Sequence, residues 1–558
     1  MTSSKGIILT RSAFKYSAAF SLYYPIFPTL AKMNNSFINF LYCDKKGGVV
    51  LTQTMEVKQE IKRLNKQFLH SSDFVAKEIK LGQEENVILC YYSSLVNKSD
   101  VEQNLINLKQ LSESSSQNNQ KTSYNTDQSL SNESQNNSDK NQDSGAQKQQ
   151  LANEETITIT TEKYDEQKLV DYVCNGETLI ILLKSKQMIR LQNGEFAHKT
   201  PEEPENEQIL RGSHEGFVEN LDVNIQLIRK RIKNNKLVVK TILLGHETKT
   251  TVYYFYVENV VDSEALKTVE NRLNSIDVDM LYSTGQLTDY LDDQVWSPFP
   301  QLLLTERPDR VVANILEGKI AVMSDLSNNA LIGPVTFFSF YQTPDDFNSR
   351  VIVGTFYRLT RLFGFVSAIF LPAFYIAIVS FHFEVLPLEL ANKVKTDINQ
   401  IPYRPLIEAM IMELTIELIR EASVRLPKSI GQTIGIVGGL VIGDAIVSAG
   451  LVSNLMVIVV AFTAISSFVV PSVELNTTIR TLRFPFMFLA SLFGFFGIVI
   501  GTFLLVVHLM NLSSLKRPYF SPVIPFDPVG TRKIFFRGPF YGANRQARSF
   551  KPKRNDRE

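Results

Sequence analysis

Between residues 362 and 383 the chain carries no Asp, Glu, Lys or Arg. The segment 362–381, LFGFVSAIFLPAFYIAIVSF, is long enough as a helix to cross a hydrocarbon core of about 30 Å at about 1.5 Å per residue. A run of this kind cannot sit at the surface of a water-soluble domain, so it predicts a transmembrane helix and divides the chain into a polar part before it and an apolar part after it. Two more uncharged stretches, 445–473 and 484–515, read as further spans. A shorter apolar run, 430–442, carries Gly431, Gly435, Gly438 and Gly439 and is followed by Gly443; small residues at this spacing suit close helix packing, a tilted span or a re-entrant segment. Counting 430–448 as a span gives about four.

Charge has to be read locally, because 58 Lys and Arg against 57 Asp and Glu leave a net charge of +1, which removes whole-chain electrostatics as a sign of nucleic-acid binding. Arg350, Arg358 and Arg361 precede the first apolar run, and Lys516, Arg517, Arg532, Lys533 and Arg537 follow the last. By the positive-inside rule both flanks face the cytoplasm, so the number of crossings is even, and 516–558 reads as a basic cytoplasmic tail.

The segment 406–424, LIEAMIMELTIELIREASV, is amphipathic at 100° per residue. Glu413, Glu417, Arg420 and Glu421 share one face, and Ile407, Ile411, Leu414 and Leu418 another. Two readings stand. In one, the helix lies in the interface with Glu417 and Glu421 paired to Arg420 and Arg425. In the other, Glu413, Glu417 and Glu421 line a water-filled ion path between subunits, where carboxylates favour cations.

The polar half shows an internal repeat. FVAKEIKLGQEENVILCYYSSLVNKSDVEQNLINL (74–108) and LVVKTILLGHETKTTVYYFYVENVVDSEALKTVENRL (237–273) each read as a strand, a Gly-containing turn at Gly82 or Gly245, an aromatic-rich strand and a helix. The expected fold is therefore an α/β soluble N-terminal region of two similar subdomains, 70–111 and 155–330, followed by an α-helical polytopic membrane domain over 331–515. Between the subdomains, 25 of the 39 residues from 112 to 150 are Ser, Gln or Asn, with only Tyr124, Leu130 and Ala146 apolar. Such a composition cannot bury enough surface to offset its ordering entropy, so 112–154 is expected to be a disordered linker. Residues 1–69 read as an arm that lacks a clean cleavage site, and Met33 or Met55 could be the true start.

Chemistry-bearing motifs are missing. There is no phosphate-binding loop, dinucleotide fingerprint, HExxH or nucleophile elbow, the six histidines are scattered, and three cysteines have no metal-ligand spacing. Neither enzyme activity nor a cofactor or metal is expected. The acidic pairs Glu202–Glu203, Asp292–Asp293 and Asp345–Asp346 read as solvated loop residues, and His382 as an interfacial polar residue.

ILRGSHEGF (209–217), LIRKRI (227–232), ERPD (306–309), LEGKIAV (316–322), RLPKSIGQ (425–432), the segment 449–460 and LRFP (482–485) together resemble the GerA family, the A subunits of spore germinant receptors. The resemblance runs from about residue 70 to the C-terminus and departs from the family pattern at Phe383, Asp444 and Asn454. It implies a spore inner-membrane protein that oligomerises to form or gate an ion path. It also implies a transporter-like B subunit and a lipoprotein C subunit as partners, and nutrient-triggered ion release as the output. Arg211, Glu215, Arg229, Arg231, Glu306, Arg307 and Asp309, in the shared motifs, become candidates for inter-domain or assembly contacts. Two other readings are a related sporulation membrane protein moving spore-core solutes and a membrane-anchored scaffold.

Overall fold

The computed structural model describes residues 48–81, 85–106, 159–191 and 203–538. The start of the arm, the expected linker, Glu202 and the last twenty residues lie outside them.

Helix α1 (Gly48–Gln67) precedes the hairpin of β1 (Phe74–Leu81) and β2 (Glu85–Tyr92), whose antiparallel register opposes Phe74 to Tyr92. Helical turns over 98–106 (α2) follow. Beyond the undescribed insert come β3 (Ile159–Lys163), α3 (Glu166–Cys174), β4 (Thr178–Leu182) and β5 (Gln187–Leu191). Strand β4 pairs with β2, and β5 with both β4 and β3, giving one antiparallel sheet in the order β1-β2-β4-β5-β3.

The second unit repeats this order. It comprises α4 (Leu221–Arg231), β6 (Leu237–Leu244), β7 (Thr250–Val257), α5 (Ser263–Asn274), the short α6 (Leu287–Leu291), β8 (Leu303–Thr305), α7 (Pro308–Leu316), β9 (Ile320–Ser324) and β10 (Ala330–Gly333). Its sheet order, β6-β7-β9-β10-β8, is the first with every label shifted by five. The repeat seen over 74–108 and 237–273 thus extends to whole subdomains.

The boundaries expected from the sequence need correction. Residues 159–191 belong to the first sheet, not the second subdomain, because the apolar edge of β2 (Ile88, Leu89 and Cys90) pairs with Ile181, Ile180 and Leu179 of β4. The Ser/Gln/Asn insert therefore interrupts the first subdomain rather than separating two. Nor is 48–69 a loose arm, since Val57 and Leu64 of α1, with Phe68 beyond it, are buried in the first core, where Phe68 stacks on Phe74 at 4.0 Å.

The helical part starts with the five-residue turn α8 (Pro344–Asn348) and continues through α9 (Val351–Phe381), α10 (Leu388–Asn399), α11 (Pro405–Arg425), α12 (Lys428–Ser448), α13 (Asn454–Phe468), α14 (Val473–Phe493) and α15 (Phe495–Asn511). Among the described residues α9 is the one helix long and apolar enough to cross a membrane; its 31 residues extend about 46 Å.

The uncharged runs are not single helices. The run 445–473 is broken after Ser448, where Gly450 has φ +67° and Ser453 caps α13, leaving a 15-residue helix about 22 Å long. The run 484–515 is broken at Gly494, φ +60°, where an added Cβ would stand 2.8 Å from the His382 ring. There the chain reverses, so that α14 and α15 form a hairpin whose open end, at Thr478 and His508, meets the second subdomain at Pro298 and Ser297.

The expected basic tail is not free where it begins. From 512 to 537 the chain folds back on the second subdomain through β11 (Ser513–Ser514), β12 (Arg517–Pro518) and α16 (Pro528–Phe535). Tyr519 is buried and donates to the Pro300 carbonyl at 2.7 Å, and Arg517 holds Asp262 at 2.6 and 2.7 Å. Asp262 is also the N-cap of α5, accepting from Glu264 N–H at 3.1 Å. Both ends of the helical part therefore return to the same soluble unit.

Candidate functional site

Buried ion pairs join the two subdomains, the second subdomain and α9, and the helices of the bundle. The first centres on Arg229 of α4, 2% exposed. Its guanidinium grips Asp73 through two contacts of 2.7 Å, donates to Ser71 Oγ at 3.0 Å and lies 3.8 Å above the Tyr92 ring. Asp73, Ser71 and Tyr92 belong to the first subdomain, so one side chain of the second unit is enclosed by the first. Backbone bonds reinforce the seam: Ser72 N–H donates to Val239 O at 2.8 Å, and Val239 N–H to Ser71 Oγ at 3.0 Å. Burial raises the Asp73 carboxyl, but Arg229 and the Ser71 and Ser94 hydroxyls outweigh it and hold the group below its ordinary value.

A second cluster fastens the 203–217 loop. Glu306 accepts from Asn206 N–H at 3.2 Å and Asn206 Nδ2 at 2.6 Å. Arg307, 1% exposed, pairs with Asp309 at 2.7 Å and donates to Ser213 O at 2.9 Å. Arg231 bonds Glu215, Ser213 Oγ and Leu227 O. Arg211 takes part through its backbone, its N–H reaching Asp345 Oδ1 at 3.3 Å and its carbonyl accepting from Asn348 Nδ2 at 2.6 Å. The motif residues named from sequence thus fall into two groups: Arg229 lies at the seam between subdomains, and the other six lie on or around the 203–217 loop, which is bonded to the turn that precedes α9.

At that start Asp346 is fully buried. It caps its own turn with Thr343 and binds Arg361 at 2.7 Å and Arg358 at 3.3 Å. Arg358 also donates to Lys533 O of α16 at 2.7 Å. The expectation that Asp345–Asp346 is a solvated pair fails here, because a capping box places Asp346 at N3, facing the first turns of α9. Asp293 likewise pairs with Arg272 at 2.6 Å. A carboxylate three residues after a Thr–Pro start was the available signal.

The third cluster lies among the helices. On α11, Glu408 (1% exposed) and Glu413 (3%) point inward, whereas Leu414 (55%) and Leu418 (62%) point outward. Glu408 accepts from Ser453 N–H at 2.7 Å and Ser453 Oγ at 2.5 Å, and from Tyr375 Oη at 3.3 Å, tying α11 and α9 to the cap of α13. Glu413 pairs with Arg483 of α14, whose Nε donates to Ala368 O of α9 at 2.9 Å. One helical turn on, Glu417 pairs with Arg480 and stands 3.8 Å from Arg420, which covers the Phe468 ring at 4.8 Å. Glu421 binds Arg425 at 2.6 Å in solvent. Within this ladder two carboxylates, Glu413 and Glu417, face three guanidiniums, Arg420, Arg480 and Arg483. Sequence periodicity found the stripe but missed Glu408 and the two α14 arginines, because their partners lie 45 to 70 residues away.

Of the glycines expected to pack helices, Gly431 does so: a Cβ would lie 2.7 Å from Ser423 O. Gly439 and Gly443 face open space within this chain, and Gly435 and Gly438 lie in the same helix α12. Among the described residues no cluster suits a metal ion, and Cys90 and Cys174 are buried and free.

A family model described as the Bacillus/Clostridium GerA spore germination protein matches residues 62–549. The chain is similar to the uncharacterized membrane protein YfkQ of Bacillus subtilis (strain 168), 42% identical over 345 residues, 62% of this chain and 67% of that one. It is also similar to the spore germination protein KA of the same organism, 32% identical over 495 residues, 88% and 86% of the two chains. Among solved structures it is similar to the N-terminal domain of the A subunit of the Bacillus megaterium spore germinant receptor GerK3, at 22% identity and a TM-score of 0.33 over 50% of this chain and 94% of that one.

Proposed function

The chain belongs to the GerA family of spore germination proteins, and from that membership we propose that it is the A subunit of a nutrient germinant receptor in the spore inner membrane. In this reading it works with a transporter-like B subunit and a lipoprotein C subunit, and it oligomerises to form or gate a path for cation release.

The observation that carries the membrane part is the inverted amphipathicity of α11. Glu408 and Glu413 point into the bundle while Leu414 and Leu418 point out, and the same holds on α14, where Arg483 is buried and Phe488 and Leu492 are exposed. In water this arrangement sacrifices apolar burial and desolvates charge; in lipid both faces are satisfied. Glu413 is sequestered by Arg483, so a path along α11 would use Glu417 and Glu421, whose side chains keep 38% and 61% exposure. The open glycine face of α12 supports contact with a second copy. The joined clusters at Arg229 and Asp346 support a mechanical route by which a change in the soluble subdomains biases the helices.

Deleting the gene should abolish nutrient-triggered cation release from spores, with restoration by the intact gene. Unchanged release in the deletion strain, with no other family member expressed, would refute the receptor reading. The similarity to YfkQ, whose name assigns no receptor role, keeps a second reading, transport of spore-core solutes without a nutrient signal. Solute release that persists in deletion spores would count against that one.

A further inference from the structure

The chain has one tryptophan, and among the described residues it is the most exposed large apolar side chain: Trp296 is 99% exposed and its neighbour Val295 54%. Both occupy the middle of a tight turn closed by Ser297 N–H donating to Gln294 O at 3.1 Å. Turn centres ordinarily hold Gly, Pro, Asn, Asp or Ser, and a Trp in a water-soluble fold ordinarily buries most of its surface.

The turn is held rigidly. Gln294 exchanges hydrogen bonds with Gln301 at 2.9 and 2.6 Å, Ser297 Oγ meets His508 Nε2 at 3.0 Å, and Thr478 Oγ1 donates to the Pro298 carbonyl. A side chain left bare on a clamped turn has a fixed place to go.

That place is set by the helices to which the turn is clamped. His508 and Asn511 end α15, and the outer face of α15 exposes Phe503, Leu504, Val507 and Met510 as a continuous apolar strip that stops at this level. Just beyond the strip lies the exposed Lys516, whose backbone N–H is fixed by Asp293 at 2.8 Å. An apolar strip, then a Trp, then a cation is the order in which a membrane protein meets acyl chains, the interface and anionic headgroups.

We propose that the Val295–Trp296 turn is a membrane-interface anchor of the second soluble subdomain, seating Trp296 at the headgroup boundary of an anionic leaflet beside the α14–α15 hairpin. The inference rests on the membrane reading above. It adds that the soluble subdomain touches lipid directly, which would fix its height and tilt over the bundle.

The single tryptophan makes the test direct. The full chain is reconstituted into phosphatidylethanolamine and phosphatidylglycerol vesicles, flotation is scored by immunoblot, and Trp emission is recorded with iodide outside and with lipids brominated near the headgroup end or near the methyl end of the chain. The expected result is flotation, blue-shifted emission, loss of most intensity with the shallow bromolipid, less loss with the deep one and little with iodide. Flotation with iodide quenching and no bromolipid quenching would overturn the inference while leaving the membrane reading intact. Blue-shifted emission quenched by neither agent would overturn it in favour of a protein contact. A chain that does not float would refute the membrane reading, and the anchor with it.

Discussion

Replacing Arg229 with Ala should undo the seam between the two soluble subdomains without unfolding either sheet. The side chain makes two 2.7 Å bonds to Asp73, one 3.0 Å bond to Ser71 and a 3.8 Å contact with the Tyr92 ring, all buried. Removing one partner of a buried pair costs about 3–5 kcal/mol, chiefly because the other charge is left desolvated and unpaired. Opening of the seam should then become about a hundredfold or more easier, at a factor of ten per about 1.4 kcal/mol.

Hydrogen exchange read by mass spectrometry on the purified full chain can follow this, because Ser72 N–H and Val239 N–H bond across the seam. Their peptides should exchange about a hundredfold faster in Arg229→Ala, with the central strands β4 and β9 little changed. Asp73→Ala should do the same, and the Asp73→Asn/Arg229→Met pair should cost less than the sum of the single changes. The pH dependence has a definite sign. The folded Asp73 carboxyl lies below its ordinary 3.8, so its stabilisation is present above that value and is lost as pH falls through the lowered one. The penalty of Arg229→Ala should therefore shrink under strong acid. Exchange within twofold of wild type at Ser72 and Val239, or strictly additive single changes, would refute the latch.

Four further outcomes are expected. A soluble fragment of residues 70–330 should aggregate more than one of residues 48–330, because it lacks Val57, Leu64 and Phe68, each worth about 1.5–3 kcal/mol of burial; light scattering of the two would show it. Arg483→Ala should cost about 3–5 kcal/mol of bundle stability in detergent, and Arg483→Met with Glu413→Leu should recover much of it. Glu417→Gln with Glu421→Gln should lower cation selectivity in reversal-potential measurements while assembly is unchanged; unaltered selectivity would remove α11 from the ion path. Burial, followed by the nearby Glu474 and Asp289 carboxylates, pushes Asp292 from 3.8 up to about 7, so the folded state holds a proton that the unfolded state releases, and stability falls as pH rises from about 4 to about 7. Asp292→Asn should flatten that decline in thermal unfolding scans across the same range.

Local patterns determined a good deal without any structure. The apolar runs located the helical part, the period-two strands of 74–108 and 237–273 showed a duplicated unit, and the 100° periodicity of 406–424 placed Glu413, Glu417 and Glu421 on one helix face. Each of these signals is carried by residues within a few turns or strands of one another. Tertiary structure decided what those elements meet. That β4 pairs with β2 across an insert of more than fifty undescribed residues, that Arg229 reaches Asp73 156 positions away, and that Arg480 and Arg483 answer the α11 carboxylates depend on contacts no local period encodes. The same holds for the breaks at Gly450 and Gly494. An uncharged run reports the solvent a segment can tolerate; whether it is one helix or two depends on backbone torsion and on the neighbour, such as His382, that stands against the turn. Charge shows the division most plainly: the sequence counts the ionic side chains and orders them, but only the packed chain determines which are desolvated together, because pairing in a low-dielectric interior is a property of distance in space.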